Sequence, residues 1–245
     1  MPTIYLSPST QESNLYVNGG SEEYYMNLLA DDMVPWLRAS GIQIARNTPQ
    51  MTAASSIRAS NAGNYDLHVA LHSNAAGEGK YGTARGSIIF YAPGSVNGKR
   101  AAEIVAANLR SIYPLPDKVR TEATLRLGEV RQTRAPSVFI ELAYHDNEQD
   151  AQWIKDNLPE IAKNIAGSIA EYFGLPLVTP QSDRTGRVVT QSGGLNIRSR
   201  PSMNGSILTS APNGTVLTVL GERNGWSTVN YNGVVGFARS GYIAL

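Results

Sequence analysis

The hydrophobic pattern of the sequence changes once, near residue 186, and this change restricts the fold more than any other feature. Over residues 1–175, short apolar runs typical of buried strands alternate with longer amphipathic stretches typical of helices. Such repetition of strand and helix predicts an α/β domain with a largely parallel central sheet flanked by helices. The segments that carry the pattern are residues 3–6, 22–40, 65–71, 87–91, 100–112, 137–142 and 150–173.

The remainder of the chain has the shorter period of β-structure. Between short apolar runs it contains four Asn-Gly pairs, at 204–205, 213–214, 224–225 and 232–233. Asn-Gly is a strong signal for tight hairpins, so this part predicts a small all-β barrel without helices. Residues 174–186 collect Pro, Ser, Thr and Gly without periodicity, which indicates a linker. We therefore expect a first domain over 1–175, a linker over 176–186 and a second domain over 187–245.

The composition excludes several classes of function. The 21 basic and 20 acidic residues leave a net charge of +1, which argues against nucleic acid as a partner. The absence of cysteine excludes a thiol nucleophile, a cysteine-ligated metal and disulfides. No run approaches the roughly 18 apolar residues of a transmembrane helix, and the first residues lack the pattern of a signal peptide. Each domain is long enough to bury its own core, so we expect a monomer that does not insert into a membrane.

Polar side chains that could carry chemistry lie at the predicted ends of buried strands, where ligands collect in open α/β sheets. His72 follows an apolar run and is either a metal ligand or a histidine that is hydrogen-bonded at the strand end. His68 lies four residues earlier, and strand geometry separates the two by roughly 13 Å. Because two ligands of one zinc cannot lie so far apart, His68 is predicted to be a packing residue.

Acidic side chains occupy two further positions of interest. Glu141 follows a second buried run. A buried carboxyl group there either has a raised pKa, as a general base needs near pH 7, or pairs with Arg131 or Arg134. Glu22 and Glu23 begin the first predicted helix, where the helix dipole favours negative charge, so capping explains at least one of them.

The order of these motifs resembles the zinc N-acetylmuramoyl-L-alanine amidases of bacterial cell-wall turnover, sporulation and phage lysis. Members typically have a strand ending in Asp-Pro-Gly-His-Gly and a helix that begins with Glu and carries Asn four residues later. A His-x-Asn at a strand end follows, and then Glu-x-Gly-Phe-x-Ser-Asn after a proline. The matching residues are Glu23 with Asn27, His72 with Asn74, and Glu141 with Asn147. At the first motif this sequence reads SPSTQ, so the histidine of that loop is missing.

The resemblance implies a zinc hydrolase and assigns roles to individual residues. The implied roles are Glu141 as general base, Glu23, His72 and Gln11 as zinc ligands, and Asn74 and Arg131 as substrate contacts. Gln11 stands near the missing histidine and offers an amide oxygen, which is a poorer zinc ligand than imidazole. Three alternatives therefore remain for zinc: these three ligands, two protein ligands with water, or no zinc.

Residues 195–243 resemble a bacterial SH3-like module, from the opening Leu-Asn-Ile-Arg-Ser-x-Pro to the later Gly-Trp-x-x-Val. This implies binding to peptidoglycan, commonly its peptide part. Trp226 and Tyr231 could stack on a ligand, although Trp226 is more often a core residue of such barrels.

Together the two resemblances imply an extracellular or cell-wall enzyme of the autolysin or endolysin kind. It would cleave the amide between N-acetylmuramic acid and L-alanine of the stem peptide in peptidoglycan. The alternatives are a non-catalytic peptidoglycan-binding protein with a degenerate amidase domain, and a zinc peptidase that cuts within the stem peptide.

Overall fold

The computed structural model describes all 245 residues, and its first domain is built on a six-stranded sheet of order β2-β1-β3-β6-β4-β5. Only β4 runs antiparallel to its neighbour β6, and the other pairs are parallel. This confirms the predicted largely parallel sheet. The strands are β1 (Thr3–Pro8), β2 (Gln43–Arg46), β3 (Leu67–Asn74), β4 (Ile88–Tyr91), β5 (Arg120–Ala123) and β6 (Ser137–Tyr144).

Six helices cover this sheet. They are α1 (Glu22–Ala39), α2 (Ala53–Ala62), α3 (Val96–Leu109), α4 (Gly128–Arg131), α5 (Glu148–Asp156) and α6 (Leu158–Tyr172). The single helix predicted over 150–173 is two helices that meet at Asn157, where Pro159 in the first turn of α6 lacks an N–H for the preceding helix. None of the helices has the length and apolar character needed to cross a membrane.

The second domain is a seven-stranded antiparallel sheet of order β13-β7-β10-β11-β12-β8-β9. Asn-Gly turns join β10 to β11 and β11 to β12, and Asn224 and Asn232 both take the left-handed backbone conformation, with φ of 51°. A short 3-10 helix at Ser240–Tyr242 is the one departure from the predicted all-β pattern. The strands are β7 (Pro180–Val188), β8 (Gly194–Arg198), β9 (Ile207–Pro212), β10 (Val216–Arg223), β11 (Trp226–Tyr231), β12 (Val234–Arg239) and β13 (Ile243–Ala244).

The segment predicted as a linker is ordered and packed. Strand β7 begins at Pro180, inside that segment, and pairs with β10. Leu175 and Val178, just before it, are buried. This segment is rich in polar and turn-forming residues, yet it forms a strand because it pairs with β10, which comes later in the chain.

The two domains share a hydrophobic core at the C-terminal end of α1. Trp226 and Phe237 of the second domain belong to the main core cluster of the first domain. The Thr228 hydroxyl donates to the carbonyl of Ala39 (2.6 Å), the last residue of α1. An ion pair between Arg38 and Asp183 adds an exposed contact at the same junction.

Candidate functional site

The candidate site lies where β3 and β6 end beside the start of α1. In the parallel register His72 of β3 is paired with Glu141 of β6, so the two side chains come from neighbouring strands. Ser21 caps α1 by accepting a hydrogen bond from the Tyr24 N–H, which places the first residue of the helix, Glu22, against β3. We refer to His72, Glu22, Glu129 and Glu141 as the His72 site.

His72 lies between two carboxylates. Its Nδ1 is 2.7 Å from Glu22 Oε1, and its Nε2 is 3.2 Å from Glu129 Oε2. The imidazole stacks on Phe139, with the ring centroids 4.1 Å apart. Burial opposes protonation of His72, but the hydrogen bonds to Glu129 and Glu22 outweigh burial and raise the pKa to about 10. In the metal-free protein, the two carboxylates therefore orient the ring and favour its cationic form.

Glu129 is the member of the site that the sequence did not predict. Its Oε1 accepts hydrogen bonds from the Ser7 hydroxyl and from His68 Nε2. Burial raises the pKa of Glu129, but the hydrogen bonds and charges of His68 and His72 outweigh burial and lower it to about 2. Glu129 lies in α4, which has only four residues and so gives no helical periodicity to read. The stretch before β6 is otherwise basic and polar, so one acidic residue in it gave no distinct signal.

His68 is buried and does not face the cleft. Its Nδ1 lies 2.9 Å from the Ser60 hydroxyl, and its ring stacks on Tyr5. The prediction that His68 is a packing residue is confirmed. Its bond to Glu129 also supports the carboxylate that holds His72.

Glu141 has the environment of a base. Its Oε2 is buried and has no hydrogen-bond partner. Burial raises the pKa of Glu141 to about 7; the charge of Glu22 adds to this effect and His72 opposes it. Arg131 and Arg134 are exposed and form no ion pair with Glu141, so the alternative of a buried pair with either arginine is excluded.

The structure brings Glu22, and not Glu23, to His72. Glu22 is 1% exposed and also accepts a hydrogen bond from the Asn14 side chain at 2.6 Å. Glu23 is partly exposed, and its main-chain carbonyl accepts a hydrogen bond from the Asn27 side-chain amide. Consecutive residues of a helix point about 100° apart, so only one of the two can face the site. Glu22 thus occupies the position beside His72 that motif spacing assigned to Glu23.

The other predicted residues differ in whether their side chains reach the His72 site. Gln11 reaches the site, with Nε2 3.4 Å from His72 Nδ1 and Oε1 accepting from Asn14. The Asn74 side chain accepts from the Ala75 N–H at the end of β3. Arg131 lies two residues after Glu129 on α4, about 200° around the helix axis, and its exposed side chain forms no hydrogen bond.

The site offers part of a zinc ligand set. His72 Nδ1 and Glu22 Oε1 converge, and the Gln11 amide lies beside them. Glu129 binds the opposite nitrogen of His72, which is the arrangement of a carboxylate supporting a metal-ligating histidine. The unpartnered oxygen of Glu141 lies on the neighbouring strand. No cluster of three or more His, Asp or Glu side chains is arranged to hold a metal.

The two aromatic residues considered for ligand stacking in the second domain are both engaged. Trp226 is 9% exposed, belongs to the shared core and carries Arg239 over its ring. Tyr231 packs against the core of the second domain. The interpretation of Trp226 as a core residue is confirmed.

The central strands of the mostly parallel sheet end at a histidine that two carboxylates hold, beside a glutamate whose pKa is near 7. This arrangement defines an α/β protein with an acid–base site of hydrolytic type. Residues 9–171 match the family described as N-acetylmuramoyl-L-alanine amidase, and residues 193–244 match the bacterial SH3 domain. Because the first match covers more than half of the chain, the chain belongs to the N-acetylmuramoyl-L-alanine amidase family.

One curated relative carries the same family name. The chain is 31% identical over 102 residues to the Bacillus subtilis (strain 168) protein named "Putative N-acetylmuramoyl-L-alanine amidase YrvJ". That match covers 39% of this chain and 20% of the relative, so this chain spans about a fifth of the relative's length.

Solved structures share the fold of the first domain. The N-acetylmuramoyl-L-alanine amidase AmiC2 of Nostoc punctiforme superposes with a TM-score of 0.63 at 16% identity, covering 71% of this chain and 97% of that one. The catalytic domain of the CD27L endolysin targeting Clostridia difficile gives 0.58 at 20% identity, covering 70% and 98%. At such identities the likeness establishes the fold alone.

Proposed function

We propose that the protein is a peptidoglycan hydrolase that cleaves the amide between N-acetylmuramic acid and L-alanine of the stem peptide. The observation that carries the proposal is the buried, unpartnered carboxylate oxygen of Glu141 beside His72 and Glu22. A carboxyl group whose pKa is near 7 can accept a proton from water and return it at neutral pH. Membership of the amidase family supports the choice of bond.

We infer that the cofactor is Zn²⁺, held by His72 Nδ1 and Glu22 Oε1. The weaker third donor would be the Gln11 amide oxygen, which would have to turn from Asn14 towards His72. Zinc, when bound there, would polarise the scissile carbonyl and lower the pKa of the attacking water. Glu22 takes the place in this ligand set that the resemblance implied for Glu23.

The protein's own residues supply the proton transfers and the orientation. Glu141 takes the proton of the attacking water and delivers it to the leaving amine of L-alanine. Glu129 fixes the His72 ring through Nε2, so that Nδ1 faces Glu22. Phe139 covers one face of the imidazole and keeps water from it. Asn74 and Arg131 remain predicted contacts to substrate.

The partner is then peptidoglycan. The first domain would bind its glycan strand and stem peptide, and the second domain would hold the wall. This places the action of the protein at the cell wall, outside the membrane, and we expect it to work as a monomer. The bacterial SH3 match supports the binding role.

Mass spectrometry of purified peptidoglycan digested with the zinc-loaded full chain tests the proposal. We expect products with a free lactyl carboxyl on muramic acid and a free amine on L-alanine. Cuts within the stem peptide would instead indicate a zinc peptidase, and no product would indicate a non-catalytic binding protein. Either of these two results contradicts the proposal.

Glu141→Gln tests the assigned base in the same assay. The substitution keeps the shape and removes the proton acceptor, so turnover should fall by about 10²–10⁴-fold. Glu160→Gln is the matched control, because Glu160 is exposed at the start of α6 and should leave turnover unchanged. Full activity of a folded Glu141→Gln protein would contradict the mechanism.

A further inference from the structure

The first domain carries a groove along helix α5, outside the His72 site, which we refer to as the α5 groove. It measures about 620 Å³, and small-molecule sites commonly measure about 300–1,000 Å³. Helix α5 forms one wall, and Asn18, Arg85 and Pro114 from three different loops form the others. None of the site residues predicted from the sequence lines this groove.

The wall formed by α5 is a stripe of hydrogen-bonding side chains. Glu148, Gln152 and Asp156 follow one another at intervals of four residues, so they lie along one face of the helix. With a rise of about 1.5 Å per residue, the stripe is about 12 Å long. Because its two carboxylates lie at opposite ends, one small cation cannot contact both of them. The stripe therefore suits an extended ligand.

Hydrogen bonds fix the walls of the groove and leave several acceptors free. Gln152 Oε1 accepts from the Asn18 side chain at 3.1 Å, and Gln152 Nε2 donates to Asp156 Oδ1 at 2.7 Å. Lys155 Nζ donates to the Asn18 carbonyl at 2.9 Å and so holds the loop between β1 and α1 against α5. Asn18 Oδ1, Asp156 Oδ2 and the carboxylate of Glu148 accept no hydrogen bond within the protein. A ligand that donates hydrogen bonds therefore meets ordered walls, which lowers the cost of binding.

The charge of the groove argues against an anionic ligand. Arg85 is the only cationic residue of the lining, and its Nε lies 2.8 Å from the buried carboxylate of Asp150. Glu148 and Asp156 have no cationic partner, so the groove carries a net negative charge. Phosphate and carboxylate groups would be repelled.

The chemistry of the lining favours a neutral sugar chain. Of the nine residues that line the groove, only Trp153 is strongly hydrophobic, so an apolar ligand would bury little surface. An extended peptide would need the edge of a sheet, which a helix face does not offer. Sugar hydroxyls and acetamido N–H groups can donate to the free acceptors. The C–H face of a sugar ring can pack on Trp153, whose ring is held perpendicular to Tyr113 with the centroids 4.9 Å apart.

The loop between β1 and α1 connects the α5 groove to the His72 site. Gln11 and Asn14 of this loop contact the site, and Asn18 lines the groove. Seven residues separate Gln11 from Asn18, and such a segment spans at most about 25 Å. One polymer can therefore occupy both places.

We propose that the α5 groove binds N-acetylated sugars of the glycan strand, next to the sugar whose lactyl amide is cleaved. Hydroxyl and acetamido groups would donate to Asp156, Glu148 and Asn18, with one sugar ring against Trp153. The choice of peptidoglycan rests on the proposed function, whereas the choice of a neutral sugar chain rests on the lining of the groove.

Calorimetric titration of the full chain with chitotetraose, the neutral tetramer of N-acetylglucosamine, tests this proposal. Cellotetraose has the same length and linkage without the acetamido groups and is the matched probe. We expect chitotetraose to bind at least about 5-fold more tightly, as the loss of one hydrogen bond implies. Equal affinity for the two sugars, or no binding of chitotetraose, would overturn the proposal.

Asp156→Ala should weaken binding of chitotetraose at least about 5-fold, because it removes a charged acceptor from the stripe. Asp117→Ala is the control, because Asp117 is exposed in the 3-10 helix Pro116–Lys118, outside the groove, and its loss changes the charge equally. Equal effects of the two variants would overturn the proposal. So would binding of the stem peptide L-Ala-D-isoglutamine-L-Lys-D-Ala that is lost in Asp156→Ala, since the groove would then hold peptide. Thermal melts of both variants exclude unfolding as the cause.

Hydrolysis of peptidoglycan by the same wild-type preparation separates this proposal from the proposed function. Chitotetraose has no lactyl amide, so its binding does not depend on the reaction. Hydrolysis without binding that depends on Asp156 contradicts only the α5 groove, and such binding without hydrolysis contradicts only the amidase.

Discussion

At the scale of single residues, the sequence predicted the type of site more accurately than the residues that form it. His72 and Glu141 were predicted because each follows a long apolar run, and strands of that kind are recognised reliably. Motif spacing located the start of α1 but could not say which of two adjacent glutamates faces inward. Glu129 was missed because no local pattern marks a carboxylate that reaches a histidine 57 residues away.

Glu22 and Glu23 provide a direct test of the assigned zinc ligands. Glu22→Gln removes the carboxylate bonded to His72 Nδ1, whereas Glu23→Gln changes a partly exposed side chain on another face of α1. We expect Glu22→Gln to weaken zinc binding by at least 10–100-fold, roughly the scale known for groups that support a metal site. Glu23→Gln should leave the affinity unchanged. Titration with zinc chloride measures both, and a larger loss in the Glu23 variant would contradict the assignment.

The raised pKa of Glu141 predicts how stability depends on pH in chelator-treated protein. The folded pKa of about 7 exceeds the ordinary value of 4.5, because burial penalises the ionised form. The unfolded chain therefore ionises first, and the free energy of unfolding should fall as the pH rises from 4.5 towards 7.

Urea denaturation between pH 4.5 and 6.5 measures this slope, because His72 affects stability chiefly above pH 6.5. In Glu141→Gln, which cannot ionise, the fall should be smaller than in the wild-type protein. Identical slopes for the two proteins would show that Glu141 titrates normally.

At the scale of elements, apolar runs decided what could be predicted. The strands β3 and β6 were recognised within three residues at their ends, and the four-residue β4 within one. The elements β2, β5 and α4, also of four residues, and the ten-residue α2 were missed. Of the four Asn-Gly pairs, those at 224–225 and 232–233 form the predicted tight hairpins, with Asn in the left-handed conformation. Asn213-Gly214 joins β9 and β10, which do not pair, and Asn204-Gly205 lies in the longer loop between β8 and β9.

The turn at Gly233 gives a prediction at this scale. Gly233 has φ of 81° and an open space around its missing side chain, so alanine there meets conformational strain but no clash. Gly233→Ala should destabilise the protein by about 1–2 kcal/mol. Gly241→Ala is the control, since Gly241 has equally open surroundings without a left-handed backbone. Thermal melts that show equal losses for both variants would contradict this account of the turn.

At the scale of the whole molecule, the expected arrangement of two tethered domains differs from the structure. Trp226 was correctly interpreted as a core residue, but periodicity cannot say which core a side chain enters. Trp226 and Phe237 pack into the core of the first domain, beside the end of α1. A ring carbon of Phe237 lies within 3 Å of the place that a side chain on Gly41 would occupy, so the two domains approach closely.

This shared core predicts that the protein unfolds as one unit. Calorimetry of the full chain should show a single transition whose calorimetric and van't Hoff enthalpies agree. Phe237→Ala should lower the stability of that single transition by about 3–5 kcal/mol, because it leaves a cavity between the domains. Leu208→Ala, at an exposed position of the second domain, should have little effect. Two resolved transitions in the wild-type protein, with Phe237→Ala moving only one of them, would instead show that the domains fold independently and that the contact at α1 contributes little to stability.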